Sequence, residues 1–404
     1  MRYKKNELLI DGIKPEILAD KYSTPLYCYS LKKIKENIIN FKKNFKSINP
    51  LICFAVKANP NGKLLKEIGK LGLGADVVSI GELMQALKSG INANKIVFSG
   101  VGKTSKEISF AIEKKILLIN AESESEVLEI EKIAKTKKKK VDIGIRLNPN
   151  TDAKTLSQIS TGKKENKFGV SEKIFINLVN YIKNSKFLKL KCLSVHIGSQ
   201  ILDHKPYEKM LKILEKVIDK TKLNFDYIDL GGGMGVDYEK NNKKLNLKRY
   251  AINIKKILKN NKSKIIFEPG RTIIANAGYL ISRIIYIKEG DKKNFIIIDA
   301  GMNDFMRPAL YNAKHQIIPA KKNKVISKKI YEFVGPICES TDKFSTLKNF
   351  QKLSQKELIV ICDVGAYGIS LSSNYNLRPK PIELLINKSK VKIISKRQNL
   401  KDLM

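Results

Sequence analysis

The chain has 404 residues, 43% of them hydrophobic, which exceeds the size of one ordinary domain and is enough to bury a substantial core. No long apolar stretch is free of charge and the opening Met1-Arg2-Tyr3-Lys4-Lys5-Asn6-Glu7 has no apolar signal core behind it, which excludes a membrane span and a secretion leader. The formal net charge of +38 comes almost wholly from lysine, because arginine occurs only at 2, 146, 249, 271, 283, 307, 378 and 397; lysines dispersed along the chain argue against a nucleic-acid face.

From about residue 50 to 271, β-rich apolar runs alternate with helical periodicity. The strands expected are 51–57, 74–79, 96–100, 117–121, 141–147, 192–198, 227–231 and 264–269. Between them lie amphipathic stretches: Lys63–Leu71, Ile80–Ser89, Ser105–Lys115, Glu122–Thr136, Glu172–Asn184 and Pro206–Thr221. About eight β-then-α units in this length predict a (β/α)₈ barrel, of the α/β class, over residues 30–272, with its chemistry at the carboxyl ends of the strands. Beyond residue 272 the runs Phe295–Asp299, Lys329–Val334 and Glu357–Asp363 are short and separated by turn residues, which predicts a mainly β domain over 273–404. The strand-like Glu7–Ile10 and Pro25–Tyr29 place residues 1–29 with it. Cys28, Cys53, Cys192, Cys338 and Cys362 are an odd, widely spaced set without metal-ligand spacing, which fits reduced thiols in the cytoplasm and no metal site.

The strand ends carry the chemistry. Lys57 closes the run Leu51–Val56 and opens into Ala58-Asn59-Pro60-Asn61, so its amine is expected near low-dielectric walls that lower its pKa and make it nucleophilic. His196, one of three histidines, ends the sixth strand and is followed by Ile197-Gly198-Ser199-Gln200. The seventh strand ends in Asp229-Leu230-Gly231-Gly232-Gly233-Met234-Gly235. That run misses the dinucleotide register, because the last glycine would fall on Val236, and Gly102-Lys103-Thr104 misses the P-loop register at Val97. Its backbone N–H groups can still cradle a single phosphate. Glu268 ends the eighth strand, in Glu268-Pro269-Gly270-Arg271, and a buried carboxylate needs a cationic partner. A Schiff-base lysine, a phosphate cradle, a ring-facing histidine and a carboxylate for a ring nitrogen together point to pyridoxal phosphate.

The series Phe54-Ala55-Val56-Lys57-Ala58-Asn59, His196-Ile197-Gly198-Ser199-Gln200, Gly231-Gly232-Gly233, Glu268-Pro269-Gly270-Arg271, Gly335-Pro336-Ile337-Cys338-Glu339-Ser340 and Gly365-Ala366-Tyr367-Gly368 resembles the pyridoxal-phosphate decarboxylases with an alanine-racemase-like barrel. Within them it is most similar to the branch acting on diaminopimelate. The resemblance runs to about residue 380. It implies that Lys57 holds the cofactor covalently, that His196 stacks on its ring, and that Glu268 faces the ring nitrogen. Ser199, Gly233, Gly235 and the Pro269-Gly270-Arg271 backbone would lie by the phosphate. Arg271, Arg307, Tyr311 and Glu339 would bind substrate, Cys338 would donate a proton, and Tyr367 would sit near both substrate and cofactor. The implied reaction converts meso-2,6-diaminopimelate to L-lysine and CO₂ in lysine biosynthesis. Ornithine, arginine or carboxynorspermidine decarboxylation on the same fold is one alternative, and a non-catalytic basic binding protein is the other. The resemblance also implies a homodimer in which Cys338 and Glu339 reach the neighbouring subunit's site.

Overall fold

The computed structural model describes the backbone of all 404 residues and every side chain except that of Ser157. The chain forms two compact units. One comprises Ile38–Val236 with Lys243–Thr272, the other Met1–Asn37 with Asp237–Asn242 and Ile273–Met404. The opening elements are β1 (Arg2–Lys4), β2 (Glu7–Leu9), α1 (Pro15–Tyr22), β3 (Leu26–Ser30) and α2 (Leu31–Asn44). The division between the units falls within α2, at Asn37.

The first unit is a closed barrel of eight parallel strands paired in sequence order. They are β4 (Leu51–Ala55), β5 (Gly74–Val77), β6 (Ile96–Phe98), β7 (Leu118–Ala121), β8 (Val141–Arg146), β9 (Leu188–Ser194), β10 (Tyr227–Asp229) and β11 (Lys264–Phe267). The ring closes where β11 meets β4, with Ile266 opposite Leu51 and Phe267 opposite Ile52. Between the strands run α3 (Gly62–Lys70), α4 (Ile80–Lys88), α5 (Ser105–Glu113), α6 (Glu124–Thr136), α7 (Glu172–Lys183), α8 (Lys205–Thr221) and α9 (Leu247–Ile257). Several start on a side-chain cap that satisfies an otherwise orphaned N–H: Ser79, Thr104, Ser123 and Ser171 each accept from the third residue on, and Thr104 with Glu107 forms a full capping box.

Every barrel strand differs from its expected bounds by at least one residue, and two of the differences bear on the site. The sixth barrel strand begins at Leu188 and ends at Ser194, so His196 lies in the loop beyond it. Lys189 and Lys191 interrupt the apolar run that would have marked its start, and Lys191 is held there by Asp142 at 2.7 Å and Asp226 at 3.7 Å. The first barrel strand ends at Ala55, and Lys57 sits in the single tight helical turn Val56–Ala58 that follows.

The barrel interior has an apolar layer of Cys53, Val97, Leu118, Cys192 and Ile266, all fully buried. Outside it, an aromatic cluster joins α2, α8, α9 and β11. Phe267 lies 4.5 Å from Phe45 and 5.8 Å from Phe41, ring to ring, and Tyr250 lies 4.4 Å from Tyr207. Each aromatic side chain removes a large apolar area from water, and offset or edge geometry adds to that gain.

The second unit is built on β12 (Gly278–Lys288), the longest strand. The others are β13 (Lys293–Ile298), β14 (Ile317–Pro319), β15 (Ile330–Val334), β16 (Lys343–Leu347), β17 (Leu358–Cys362), β18 (Ile382–Asn387) and β19 (Lys390–Ser395). The sheet runs β16-β15-β13-β12-β3-β18-β19, with β17 pairing both β12 and β14. Tyr279 on β12 stands opposite Cys28 of β3 and also Cys362 of β17. One face buries Leu26, Cys28, Tyr279, Ile281, Val360, Cys362, Leu384 and Ile386, the period-2 pattern of a sheet packed on one side. After the single-turn α10 (Arg271–Ile274), a short helix, α11 (Arg307–Tyr311), interrupts the β order. Among the described residues no helix is long and apolar enough to cross a membrane.

Phe267 joins strand pairing to the aromatic cluster and is fully buried, so Phe267→Ala should destabilise the protein by about 3–5 kcal/mol. The check is the chemical-denaturation midpoint of the variant. An unchanged midpoint would show that the cluster does not support the barrel.

Candidate active site

Lys57 extends from the turn after β4 with its side chain 39% exposed, and its Nζ lies 2.5 Å from Oδ2 of Asp76, a fully buried carboxylate on β5. This corrects the expectation of an amine set against apolar walls. Ala55 of β4 is in register with Asp76 of β5, so the neighbouring strand delivers a carboxylate to the amine.

Asp76 belongs to a polar layer at the carboxyl ends of the strands. Asn120 on β7 donates to Asp229 on β10 at 3.0 Å and to Ser99 at 3.3 Å, and Ser99 donates to Glu268 at 3.2 Å. Asp229 also accepts the N–H of Gly231 at 2.9 Å. Burial raises the Glu268 carboxyl well above the usual carboxylate range, and the neighbouring Asp229 and Asp76 raise it further, with Lys57 opposing them. Burial raises Asp229 too, but the Gly231 N–H and the Asn120 amide stabilise its ionised form. Of this pair Glu268 therefore holds the proton. Near Lys57, burial pushes Glu82 up to about 7, although the Val78 N–H bonds it at 2.9 Å.

The opposite side of the mouth holds a compensated ion pair. Arg146, at the end of β8, makes a forked pair with Glu122 at 3.0 and 3.2 Å and donates to the carbonyl of His196 at 3.2 Å. Burial, and then the charges of Arg146 and Lys57, hold the His196 imidazole well below the ordinary histidine range, so the ring is neutral. Its Nδ1 accepts from the Gly232 N–H at 3.2 Å, which leaves the proton on Nε2.

The loops after β9 and β10 are laced together: Ile201 N–H bonds to Gly233 O at 2.9 Å and Gly235 N–H to Ile201 O at 3.0 Å. Gly233 has φ +85°, and a Cβ there would meet the Gly198 carbonyl at 2.2 Å. A Cβ on Gly235 would fall 2.8 Å from Leu202. Side chains are thus excluded from this turn, which consists of closely packed backbone. Ser199 borders it and accepts from Arg271 at 2.9 Å, and Arg271 is itself 6% exposed. The Pro269 carbonyl is tied to Ala55 N–H at 3.3 Å, and a Cβ on Gly270 would press on Ala58 at 2.8 Å. Lys57, His196, Ser199, Gly233, Gly235 and Glu268-Pro269-Gly270-Arg271 are therefore gathered at the carboxyl-end mouth of one barrel.

In the second unit the remaining expected residues form local groups. Arg307 opens α11, is 5% exposed and lies with its guanidinium carbon 4.7 Å over the Tyr238 ring. Tyr311 ends that helix, half-buried. Cys338 and Glu339 are exposed on a loop drawn in by Asp342, whose carboxylate accepts from Met302 N–H and Ile337 N–H, both at 2.7 Å. Glu339 accepts from Tyr375 at 2.6 Å and Thr341 at 3.1 Å. Tyr367 takes φ +57°, a left-handed conformation uncommon for a bulky residue.

Residues 31–275 match the family described as pyridoxal-dependent decarboxylase, pyridoxal binding domain. The chain belongs to that family. It is 42% identical over 402 residues to the diaminopimelate decarboxylase of Aquifex aeolicus, covering 99% of this chain and 95% of that protein. The crystal structure of diaminopimelate decarboxylase from Helicobacter pylori complexed with L-lysine superposes with a TM-score of 0.91 at 44% identity, over 96% of this chain and 98% of that one. The diaminopimelate decarboxylase of M. jannaschii in co-complex with L-lysine gives 0.94 at 35% identity, over 100% and 96%.

A pyridoxal-dependent decarboxylase needs a lysine, an anion site and a carboxyl for a cationic ring nitrogen, and Lys57, the Ser199–Arg271 pair and Glu268 offer these groups at one mouth. The Gly198 carbonyl and Leu202 leave no space for a Cβ on the glycine turn, so it carries backbone alone, and a cationic N–H would relieve a Glu268 carboxyl crowded by Asp229 and Asp76. The supporting residues Asp76, Ser99, Asn120, Glu122, Arg146 and Asp229 have no motif of their own. They share one signal with Glu268: a polar residue at the carboxyl end of an apolar run.

The raised Glu268 pKa sets a sign. The folded, cofactor-free protein keeps a proton that the unfolded chain releases near 4.5, so Glu268's contribution is fully present below 4.5 and is lost as pH rises towards the raised value. Glu268→Gln should therefore flatten the fall in denaturation midpoint between about pH 5 and pH 7. Equal slopes in the two proteins would place the proton elsewhere in the layer.

Proposed function

We propose that this pyridoxal-dependent decarboxylase removes CO₂ from meso-2,6-diaminopimelate to give L-lysine. The observation that carries the reading is the Lys57 amine, 2.5 Å from Asp76 in the same mouth as Glu268, a carboxyl that burial raises well above the usual carboxylate range. Identity of 42% to a diaminopimelate decarboxylase, and close structural likeness to two such enzymes holding L-lysine, support the substrate.

The residue roles follow from their chemistry. Lys57 would hold pyridoxal phosphate covalently, the neutral His196 ring would lie against it, and Glu268 would accept from its ring nitrogen. Ser199, Gly233, Gly235 and the backbone at Pro269, Gly270 and Arg271 would hold the phosphate. When bound, the cofactor supplies a sink for the electron pair that CO₂ leaves behind. Arg307 and Arg271 are buried guanidinium groups, suited to grip the distal carboxylate through paired hydrogen bonds, and Glu339 is suited to the distal ammonium. Tyr311 and Tyr367 would border the substrate. The Cys338 thiol would return a proton to the carbon that lost CO₂. A site that commits arginines to a carboxylate leaves them unpaired with ornithine, which lacks it, and so disfavours that substrate. The protein would act as a cytoplasmic homodimer, with Cys338 and Glu339 serving the partner copy. The exposure of both residues supports a role for them across such an interface.

Purified protein with pyridoxal phosphate should release CO₂ and L-lysine from meso-diaminopimelate and leave ornithine almost untouched; the absence of lysine would sink the reading. Lys57→Ala should lose the visible absorbance of the covalently held cofactor, and its persistence would remove Lys57 from that role. Randomly mixed Lys57→Ala and Cys338→Ala subunits should recover about a quarter of wild-type activity, because half the dimers then carry one intact site. No recovery would argue against sharing across subunits.

A further inference from the structure

His315, one of the three histidines, is 5% exposed and lies in the second unit between α11 and β14. Its Nδ1 is 2.9 Å from the carbonyl oxygen of Cys362, and its Nε2 is 3.0 Å from Nη1 of Arg307. A carbonyl oxygen can only accept, so Nδ1 must carry the hydrogen and Nε2 must present its lone pair. A guanidinium can only donate, so Arg307 supplies the matching N–H. The two contacts fix each other's direction.

The surroundings fix the ring. Phe305 meets it edge-on at 4.7 Å and 84°, and the Tyr238 ring lies 4.7 Å from it, tilted by 54°. Cys362 ends β17, opposite Tyr279 of β12, and its own N–H bonds to Gln316 O at 2.9 Å. His315 and its neighbour Gln316 are therefore stitched to Cys362 at two successive points, one through the ring and one through the backbone. Sheet pairing sets the carbonyl, the carbonyl sets the tautomer, and the tautomer sets an acceptor for Arg307.

We propose that His315 is a positioning residue for carboxylate recognition, holding the Arg307 guanidinium plane with its Nε2 acceptor while Tyr238 supports one face. Anchoring one N–H and one face fixes the plane in which the rest of the fork meets a ligand, and bidentate binding depends on that plane. The inference rests on the reading of Arg307 as a distal-carboxylate ligand.

The test uses cofactor-loaded protein and calorimetric binding of two probes. L-Lysine keeps the distal carboxylate, and cadaverine lacks it. His315→Leu removes the acceptor and should weaken L-lysine about tenfold to a hundredfold, the range of a charge-assisted hydrogen bond, while cadaverine changes by less than about threefold. His315→Gln, whose side-chain oxygen can take the place of Nε2, should recover most of the loss. His315→Asn, too short to offer that oxygen to Arg307, should behave like the leucine variant and serves if leucine prevents folding. In an Arg307→Ala background, His315→Leu should add no further loss for L-lysine. Equal losses for both probes, no recovery with glutamine, or additive effects in the double variant would each overturn the positioning role. If Arg307→Ala itself leaves L-lysine binding unchanged, the carboxylate role of Arg307 fails and His315 falls with it. If Arg307→Ala weakens L-lysine and His315→Leu does not, the inference about His315 alone is overturned.

Discussion

The pairing of β11 with β4 is the constraint on which the rest of the barrel's chemistry depends. Placing Phe267 opposite Ile52 brings the last strand of the barrel beside the first, so that Glu268 and Lys57 leave their strands at the same mouth. Parallel strands present all their carboxyl ends on one side, and the residues just past those ends must face one another across a narrow ring. Without closure, Lys57 would meet Asp76 on the adjacent strand but would have no relation to Glu268 or to the glycine turn after β10.

That geometry carries an energetic tension. Asp76, Asp229 and Glu268 are all buried at the mouth, where ionised carboxylates are costly and repel one another. The structure relieves the strain unevenly. Asp76 takes the Lys57 amine, Asp229 takes an amide and a backbone N–H, and Glu268 keeps a proton. A core chosen for stability alone would fill this layer with apolar side chains, as the layer of Cys53, Val97, Leu118, Cys192 and Ile266 does. The polar layer instead holds a raised carboxyl at Glu268, which suits the pairing proposed above with the ring nitrogen of pyridoxal phosphate.

The second unit uses the same device at another scale. Asp342 gathers two backbone N–H groups and so shapes the loop that carries Cys338 and Glu339. His315 stands between a strand carbonyl and an arginine. In both cases a buried polar group with defined partners turns regular β structure into a definite direction for a side chain that meets solvent or ligand.

Much of this was readable from residues alone. The alternation of β-rich and amphipathic runs predicts eight strands, and the structure has eight, because period and length are local properties of the chain. Lys57, His196, the glycine run and Glu268 stand out for the same reason, each being a chemically demanding residue at the end of an apolar run. The bounds of β9 were less legible, since Lys189 and Lys191 break its pattern and only Asp142 and Asp226, on other segments, explain why lysines sit there. The carboxylate against Lys57, the proton on Glu268, the tautomers of His196 and His315 and the acceptor for Arg307 were not legible at all. Each is a relation between groups far apart in the chain, set by strand register and burial. The sequence by itself determined which reactive groups are present and on which elements they ride. Only the tertiary structure decided which of them meet, and therefore which are charged, because charge in a buried site depends on the neighbours that folding supplies.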